Sequence, residues 1–133
     1  MNANPTVSDI AGVAEFRAAL RLFLRRSERA ARQAGLTPQR YLLLLMIKGA
    51  ADGSEHSTVT ELAQRLQLAQ STVTELVSRA EEAGLVQRAQ SASDGRVAHL
   101  SLTEEGEQRL VRAFIDLDAE REQLRAAFSH FGA

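Results

Sequence analysis

The sequence predicts one mostly α-helical domain that carries a single small β-hairpin. Three features of the 133 residues support this fold class. Apolar residues recur at helical spacing over most of the chain, glycines stand where that spacing stops, and period-two alternation flanks an Asp-Gly turn at residues 94–95. Hydrophobic residues make up 44% of the chain, enough for one modest core. We therefore expect one folding unit over residues 1–133.

Two helices are predicted in the first third of the chain. A polar tail over residues 1–8 precedes a long helix over residues 9–34, and Gly35 is a natural stop for it. The inward face of this helix consists of Phe16, Leu20, Phe23, Ser27, Ala30 and Ala34. Thr37 followed by Pro38 is typical of a helix start. The next residues, 41–47, are apolar on every side, so we expect this helix to lie inside the core.

A pair of short helices comes next. Thr58 and Glu61 form a capping-box pattern, which opens a helix that ends near Gln67. The second helix covers residues 70–83 and ends at Gly84. Its inward stripe is predicted to be Val73, Leu76, Val77 and Ala80. Because the two helices are joined by a brief turn, they form a helix-turn-helix pair.

A β-hairpin and a last helical region complete the chain. Residues 85–88 and 98–102 flank the turn and predict the hairpin. Thr103 then begins a helical region that reaches residue 131 and is interrupted by Arg121. Its apolar residues recur about every 3.5 residues. They are Leu110, Phe114, Leu117, Leu124, Phe128 and Phe131.

The predicted elements divide the chain into terminal helices and a central lobe. The terminal segments, 9–34 and 104–131, both have long apolar faces, so we expect them to be dimerisation helices. Between them, residues 37–103 form the lobe with the helix-turn-helix and the hairpin.

The composition excludes several classes of protein. The chain has no cysteine, so it has no disulfide, zinc-thiolate site or thiol redox switch. The longest apolar run, residues 41–47, is far shorter than the roughly 20 residues of a membrane span. The first residues also lack the pattern of a signal peptide. We expect a soluble, cytoplasmic protein with no membrane partner.

The net charge of −1 hides an asymmetry between the two ends. Seven Arg and three acids give residues 9–40 a charge of +4, whereas four Arg and seven acids give residues 103–133 a charge of −3. Four arginines form a row on one face of the first helix: Arg17, Arg21, Arg25 and Arg29. This row is either a solvated surface or a contact to phosphates or to the acidic C-terminal helices of a partner subunit.

No catalytic or metal-binding pattern occurs in the sequence. His56, His99 and His130 are scattered and belong to no HExxH motif, so we expect no metal site and no cofactor. Neither a Gly-x-Ser-x-Gly elbow nor a glycine-rich phosphate loop is present. An enzyme is therefore not expected.

A helix-turn-helix followed by a charged hairpin is the pattern of a winged helix, whose second helix can enter the DNA major groove. At about 100° per residue, the side of residues 70–83 opposite the inward stripe is polar. Short polar side chains suit a close approach to base edges and phosphates. The candidate DNA-binding residues on this helix are Gln70, Ser71, Thr72, Thr74, Glu75, Ser78 and Arg79.

Several short motifs follow one another in a characteristic order. They are Leu36-Thr37-Pro38-Gln39, Glu61-Leu62-Ala63, Gln70-Ser71-Thr72-Val73-Thr74, Glu82-Ala83-Gly84-Leu85-Val86-Gln87-Arg88, Ser93-Asp94-Gly95-Arg96 and Leu102-Thr103-Glu104-Glu105-Gly106. In this combination the sequence resembles the multiple-antibiotic-resistance regulator (MarR) family of bacterial winged-helix transcription factors. The resemblance implies a homodimer with interlocking terminal helices that binds double-stranded DNA. It also implies that a small, often aromatic, effector releases the DNA by binding between the dimer helices and the DNA-binding lobe.

The resemblance assigns roles to single residues. Arg96 matches the wing arginine that inserts into the minor groove, where negative potential attracts a guanidinium. Asp94 matches the acid that holds this arginine in place, and Arg88 matches the basic residue at the base of the wing. The residues that match recognition-helix positions near phosphates and bases are Ser71, Thr72 and Thr74.

Two positions depart from the family pattern. The family often has a Ser or Asp cap where this chain has Ala69, a loss of about 1 kcal/mol of helix stability. It often has Arg where this chain has Glu75. The Glu75 carboxylate has three interpretations: it accepts a hydrogen bond from a cytosine, it pairs with Arg79 one turn on, or it repels wrong DNA sequences.

We therefore expect a sequence-specific transcriptional regulator, a homodimeric repressor on an inverted-repeat operator that responds to a small aromatic effector. The alternative is a winged-helix module that binds another protein and has lost DNA recognition. Glu75 and the neutral charge balance of the lobe would permit this alternative. The sequence does not identify the residues of an effector pocket.

Overall fold

The computed structural model describes residues 4–90 and 97–132, with side chains as far as residue 129. The elements in chain order are α1 (Val7–Gln33), α2 (Pro38–Lys48), α3 (Val59–Leu66), α4 (Gln70–Glu82), β1 (Val86–Gln90), β2 (Ala98–Leu102), α5 (Glu104–Ile115) and α6 (Asp118–Gly132). Within these residues, β1 and β2 form a two-stranded antiparallel sheet. The predicted fold class, mostly helical with one hairpin, is confirmed.

Helix α1 begins two residues earlier than the sequence predicts. The Asp9 N–H donates to Thr6 Oγ1 at 3.1 Å, and the Thr6 N–H donates to the Asp9 carboxylate at 2.9 Å. This capping box satisfies backbone groups at the helix start, and the bonds from Thr6 lower the pKa of Asp9. Val7 and Ser8, which we expect in the polar tail, are therefore helical.

Helix α2 starts as expected but is not enclosed on all sides. Thr37 Oγ1 accepts a hydrogen bond from the Arg40 N–H at 3.1 Å, and Pro38 occupies the first helical position. Three of its side chains are fully buried: Leu43, Leu44 and Ile47. Leu42, however, is 41% exposed, because it lies toward an open cavity between α1 and α2. The helix therefore lies in the core, as the sequence predicts, but its side at Leu42 is open.

The last helical region consists of two helices. Leu117 is buried between the end of α5 and the start of α6. Arg121 stabilises this break, since its guanidinium donates to the carbonyl of Phe114 and to the Asp118 carboxylate. The same guanidinium lies 3.6 Å from the centre of the Phe114 ring. The residue that interrupts the apolar period in the sequence therefore closes the end of α5.

The helices form two connected layers around one core. α1 packs along α6 and reaches α5, and the rings of Phe16 and Phe128 are 5.8 Å apart between centroids. α2 lies at the centre, in contact with α1, α3, α4, α5 and β2. The large core side chains include Leu43, Ile47, Leu62, Val73, Val77, Leu85, Leu100, Leu110 and Leu117.

The base of the hairpin is anchored in this core. Val86 pairs with Leu102 at the start of β1. The backbone N–H and carbonyl of Leu100 also bond to Ser57, at 2.8 and 3.0 Å, so the loop before α3 lies against the edge of β2. β2 is therefore held in two ways: its backbone bonds to the loop before α3, and the fully buried Leu100 side chain packs in the core.

A close junction joins the end of α4, the start of β1 and the start of α5. Gly84 has a φ of +76°, which turns the chain out of α4. Thr103 donates from its hydroxyl to the Gly84 carbonyl at 2.6 Å and from its N–H to the Leu85 carbonyl at 3.0 Å. Gly106, in the first turn of α5, lies so close that a Cβ there would be 2.1 Å from the Leu85 oxygen. In the Thr-Glu-Glu-Gly motif of residues 103–106, the threonine therefore bonds to the end of α4 and the glycine leaves room for the Leu85 carbonyl.

We expect Gly106→Ala to destabilise the fold by about 1–3 kcal/mol, the usual cost of forcing an extra carbon into a packed interior. Gly12→Ala in α1 is the matched control, because a Cβ at Gly12 meets no atom within 4 Å. Alanine should there stabilise the helix by up to about 1 kcal/mol. Urea unfolding measures the free energy of both variants, and equal values would contradict the close approach.

Candidate nucleic-acid interface

The helix-turn-helix pair is fixed to the end of α2. The guanidinium of Arg65 in α3 donates to the carbonyls of Met46 and Gly49, both at 3.1 Å. These carbonyls lie at the C-terminal end of α2, where no further helical N–H reaches them. The two bonds from Arg65 satisfy them and also hold α3 against the end of α2. Between α3 and α4, Gln67 adopts the left-handed conformation with a φ of +57°. A left-handed residue at this position ends α3, so the turn to α4 is short and sharp.

Helix α4 buries one face and exposes the other. Val73, Val77 and Ala80 have no exposed surface, while Leu76 at the edge of this stripe is partly buried. The predicted DNA-facing residues lie on the opposite side and are exposed, apart from a half-buried Ser78: Gln70, Ser71, Thr72, Thr74, Glu75, Ser78 and Arg79. The fold brings this set together on one polar surface. Its contact with DNA stays a prediction.

The N-terminus of α4 has no side-chain cap. Ala69 occupies the cap position and offers no side-chain acceptor to the first turn. Gln70 instead folds back toward α3, where its Nε2 donates to Thr60 Oγ1 at 3.3 Å. Thr60 is exposed and lies at the edge of the polar surface. No motif links Thr60 to α4 in the sequence, so this neighbour is found only in the structure.

The structure shows Glu75 paired with Arg79. The Nη2 of Arg79 lies 2.6 Å from the Oε1 of Glu75, and the side chains of Arg79 and Glu75 are 61% and 63% exposed, respectively. An exposed pair one helical turn apart contributes about 0.3–0.5 kcal/mol, so it opens at little cost. The other two interpretations of Glu75, a cytosine contact and a repulsive filter, stay predictions.

Arg88, on β1, pairs with Glu81 in the last turn of α4. Its Nε and Nη2 donate to the two carboxylate oxygens of Glu81 at 3.1 and 2.6 Å. These bonds raise the pKa of Arg88 above its usual value. Glu81 is not found by sequence reasoning, because the two residues are separated by a helix end and a turn. Asp94 and Arg96, predicted at the tip of the wing, lie outside the described residues.

Two of the three histidines are not scattered but adjacent. His56, in the loop before α3, and His99, on β2, have their Nδ1 atoms 3.1 Å apart and their rings edge to face. One Nδ1 donates and the other accepts, so the pair is a hydrogen bond between the loop and the hairpin. Among the described residues, no group of three or more His, Cys, Asp or Glu is placed to hold a metal ion.

An apolar cavity of about 200 Å³ lies between α1 and α2. Leu24, Pro38 and Leu42 line it together with Ser27 and Tyr41. Burial raises the pKa of Tyr41, and the hydrogen bond with Ser27 opposes this in part, so the phenol is neutral at physiological pH. A mostly apolar slot with one or two polar groups is the usual character of a small-molecule site.

Apolar side chains are exposed near both ends of the chain. They are Val7, Ile10 and Val13 on α1, and Val111, Phe114, Ile115 and Phe128 on α5 and α6. The opposite charges of the two ends also meet within one chain, where Arg26 lies 3.2 Å from Glu120. The predicted row of arginines is exposed and makes no ion pair with another described residue: Arg17, Arg21, Arg25 and Arg29.

A helix-turn-helix joined to an antiparallel hairpin defines a winged helix-turn-helix protein. The sequence model of the MarR family matches residues 34–97. The HTH-type transcriptional repressor MdtR of Bacillus subtilis (strain 168) is 30% identical over 105 residues, which are 70% of this chain and 64% of MdtR. The chain therefore spans less than two thirds of the length of that relative. By these matches the chain is similar to the MarR family, and MdtR is named as a transcriptional repressor.

Solved structures have the same fold. AbsC, a MarR family transcriptional regulator from Streptomyces coelicolor, has a TM-score of 0.70 and 21% identity, and the match covers 92% of this chain and 82% of AbsC. A MarR mutant from E. coli, solved in complex with operator DNA, has a TM-score of 0.67 and 19% identity over 81% of this chain and 75% of that one. Separately, no helix in the described part of the chain has the length and apolar character to cross a membrane.

We expect Ala69→Ser to stabilise the protein by about 1 kcal/mol, because the new hydroxyl can accept a hydrogen bond from the first turn of α4. The matched variant is Thr58→Ala, which removes an existing cap, since Thr58 Oγ1 accepts from the Glu61 N–H at 3.2 Å. That variant should lose about 1–2 kcal/mol. Thermal and urea unfolding measure both changes, and an Ala69→Ser protein no more stable than the wild type would argue against an uncapped helix.

Proposed function

We propose that the chain is a sequence-specific DNA-binding transcriptional regulator. The observation that carries this proposal is the polar, exposed face of α4, which is held rigidly by the fully buried Val73, Val77 and Ala80 and lies beside the base of a hairpin. A helix in this setting can enter a major groove while the hairpin reaches the neighbouring backbone. The similar E. coli MarR mutant that was solved with operator DNA supports the same use of the fold.

Charge alone does not account for DNA binding by this lobe. Residues 60–100 carry four Arg and five acids. The contacts must therefore be few and well placed, with Ser71, Thr72 and Thr74 near phosphates and base edges. As the family resemblance implies, Arg96 would enter the minor groove and Asp94 would hold it there. The DNA-contacting set is Gln70, Ser71, Thr72, Thr74, Glu75, Ser78, Arg79, Arg88 and Arg96.

The functional unit in this proposal is a homodimer built from the terminal helices. Exposed apolar side chains on α1, α5 and α6 support this assembly, because a solvent-facing row such as Val7, Ile10 and Val13 is typical of an interface. Two copies of α4 would then lie about one DNA turn apart, roughly 34 Å, and would read an inverted repeat.

The regulator is proposed to be a repressor that a small effector releases from DNA. MdtR is named as a transcriptional repressor. The cavity beside Tyr41 supports an effector, since its apolar wall and its phenol suit a small aromatic molecule. This cavity lies between α1, a proposed dimerisation helix, and α2, which carries the DNA-binding lobe, so a ligand there can change the angle between them.

A protein-interaction module is the second candidate. One observation favours it: the carboxylates of Glu75 and Glu81 already occupy Arg79 and Arg88 in the free protein. If these pairs never open, the lobe offers few cations to phosphates. The experiment that follows distinguishes the two candidates.

Selection of binding sites from random double-stranded DNA with the purified protein should return an inverted repeat with half-sites one helical turn apart. Arg96→Ala should weaken binding to that site by about tenfold or more, because a lost base or groove contact costs about 1–3 kcal/mol. Arg32→Ala, which removes an exposed arginine from the last turn of α1, is the control. A selection that enriches no sequence, together with equal binding by Arg96→Ala, would favour the protein-interaction module.

Small aromatic carboxylic acids and phenols should lower the affinity of the protein for the selected site. We expect Leu42→Trp to abolish this response while operator binding without ligand is unchanged, because the larger ring fills the cavity from an already exposed position. Fluorescence anisotropy of labelled operator DNA measures both quantities. A full response in the Leu42→Trp variant would place the effector elsewhere.

A further inference from the structure

The pair between Glu81 and Arg88 joins α4, the proposed recognition helix, to β1, the first strand of the proposed wing. Both oxygens of Glu81 are engaged, at 3.1 Å from Nε and at 2.6 Å from Nη2 of Arg88. This is a side-on, two-bond pairing, which fixes the plane of the guanidinium as well as its position. The pair is half-exposed, with side-chain exposures of 29% for Glu81 and 40% for Arg88.

The backbone on both sides of this pair is held by packing. Glu81 belongs to the last turn of α4, which is anchored by the fully buried Ala80. Leu85 and Val86, which lead to Arg88, are 1% and 3% exposed. The long side chain of Arg88 has no such packing, and the two bonds to the Glu81 carboxylate restrict its orientation.

The side-on pairing leaves one edge of the guanidinium available. An arginine has five N–H donors, and Glu81 uses the Nε donor and one on Nη2. The end-on edge, formed by Nη1 and the outer hydrogen of Nη2, donates to no other residue of 4–90 or 97–132. This edge matches the spacing of two phosphate oxygens.

We propose that Glu81 is a positioning residue for DNA binding: it holds the guanidinium of Arg88 so that its end-on edge meets a DNA phosphate beside the wing. The inference rests on the proposed DNA-binding function. It assigns a favourable role to an acid in a lobe that must approach a polyanion. Electrostatics alone predicts the opposite sign, because removing a negative charge near DNA should strengthen binding.

The neighbouring pair between Glu75 and Arg79 lacks these properties. It has a single bond of 2.6 Å, and both partners are more than 60% exposed at 63% and 61%. It therefore leaves the orientation of its guanidinium free. The contrast makes Glu81, and not Glu75, the acid whose removal should disorder an arginine.

The test compares operator affinity over a range of salt concentrations for Glu81→Gln and its neighbour Glu82→Gln. Both variants lose one negative charge, but Glu82 forms no ion pair with another described residue. We expect Glu81→Gln to bind the operator roughly tenfold more weakly, the cost of ordering one long side chain in each subunit. We expect Glu82→Gln to bind as well as the wild type or better.

Three further variants separate positioning from a general loss of structure. Arg88→Ala should lower the slope of log affinity against log salt by about 1.8 for a dimer, or about 0.9 for each lost phosphate contact. Adding Glu81→Gln to Arg88→Ala should weaken binding no further, because the residue acts through Arg88. Glu81→Asp keeps the charge but shortens the reach, so it should also weaken binding. Thermal midpoints of all variants should stay close to that of the wild type, since a half-exposed pair contributes little to stability.

The outcomes are distinct. A Glu81→Gln protein that binds the operator as tightly as Glu82→Gln overturns the positioning role and leaves the proposed function intact. The positioning role is also overturned if Glu81→Gln weakens DNA binding by the same factor in the wild type and in the Arg88→Ala variant. In that case the effect would not pass through the guanidinium. A wild-type protein that enriches no DNA sequence overturns the proposed function, and the role of Glu81 with it.

Discussion

The backbone contact between Leu85 and the start of α5 is the constraint on which the rest of the arrangement depends. The Leu85 carbonyl accepts the Thr103 N–H at 3.0 Å and lies against Gly106, where no side chain fits. Because Leu85 also follows the turn that ends α4, this contact sets the direction of β1 relative to the recognition helix. It joins the lobe to α5 at the same point.

The lobe combines a rigid frame with nearly balanced charge. Three of its described arginines are engaged within the chain: Arg65 with backbone carbonyls, Arg79 with Glu75 and Arg88 with Glu81. Such a surface is a weak attractor of DNA in general, since non-specific binding depends on free cations. In the proposed DNA-binding function, discrimination would then depend on shape and on a few oriented donors, which gives a physical reason for the small polar side chains of α4.

Local signals in the sequence fix the ends of most elements. Thr37, Thr58 and Thr103 each cap the helix that follows, as predicted for the first two from their spacing to Pro38 and Glu61. The polar face of α4 and the hairpin also follow from period alone. Such features depend on residues within one turn of each other, so the chain need not be folded to reveal them.

Contacts between elements were decided by the tertiary structure. The exposure of Leu42, the His56–His99 pair and the link from Glu81 to Arg88 give no signal in the spacing of residues. Each depends on where a turn or a packed helix returns the chain. By itself the sequence determined the helices, the hairpin and the residues on each face, because periodicity and caps are local. Only the folded structure decided which faces meet, because the positions of the helices relative to one another are set by the packing of the whole core.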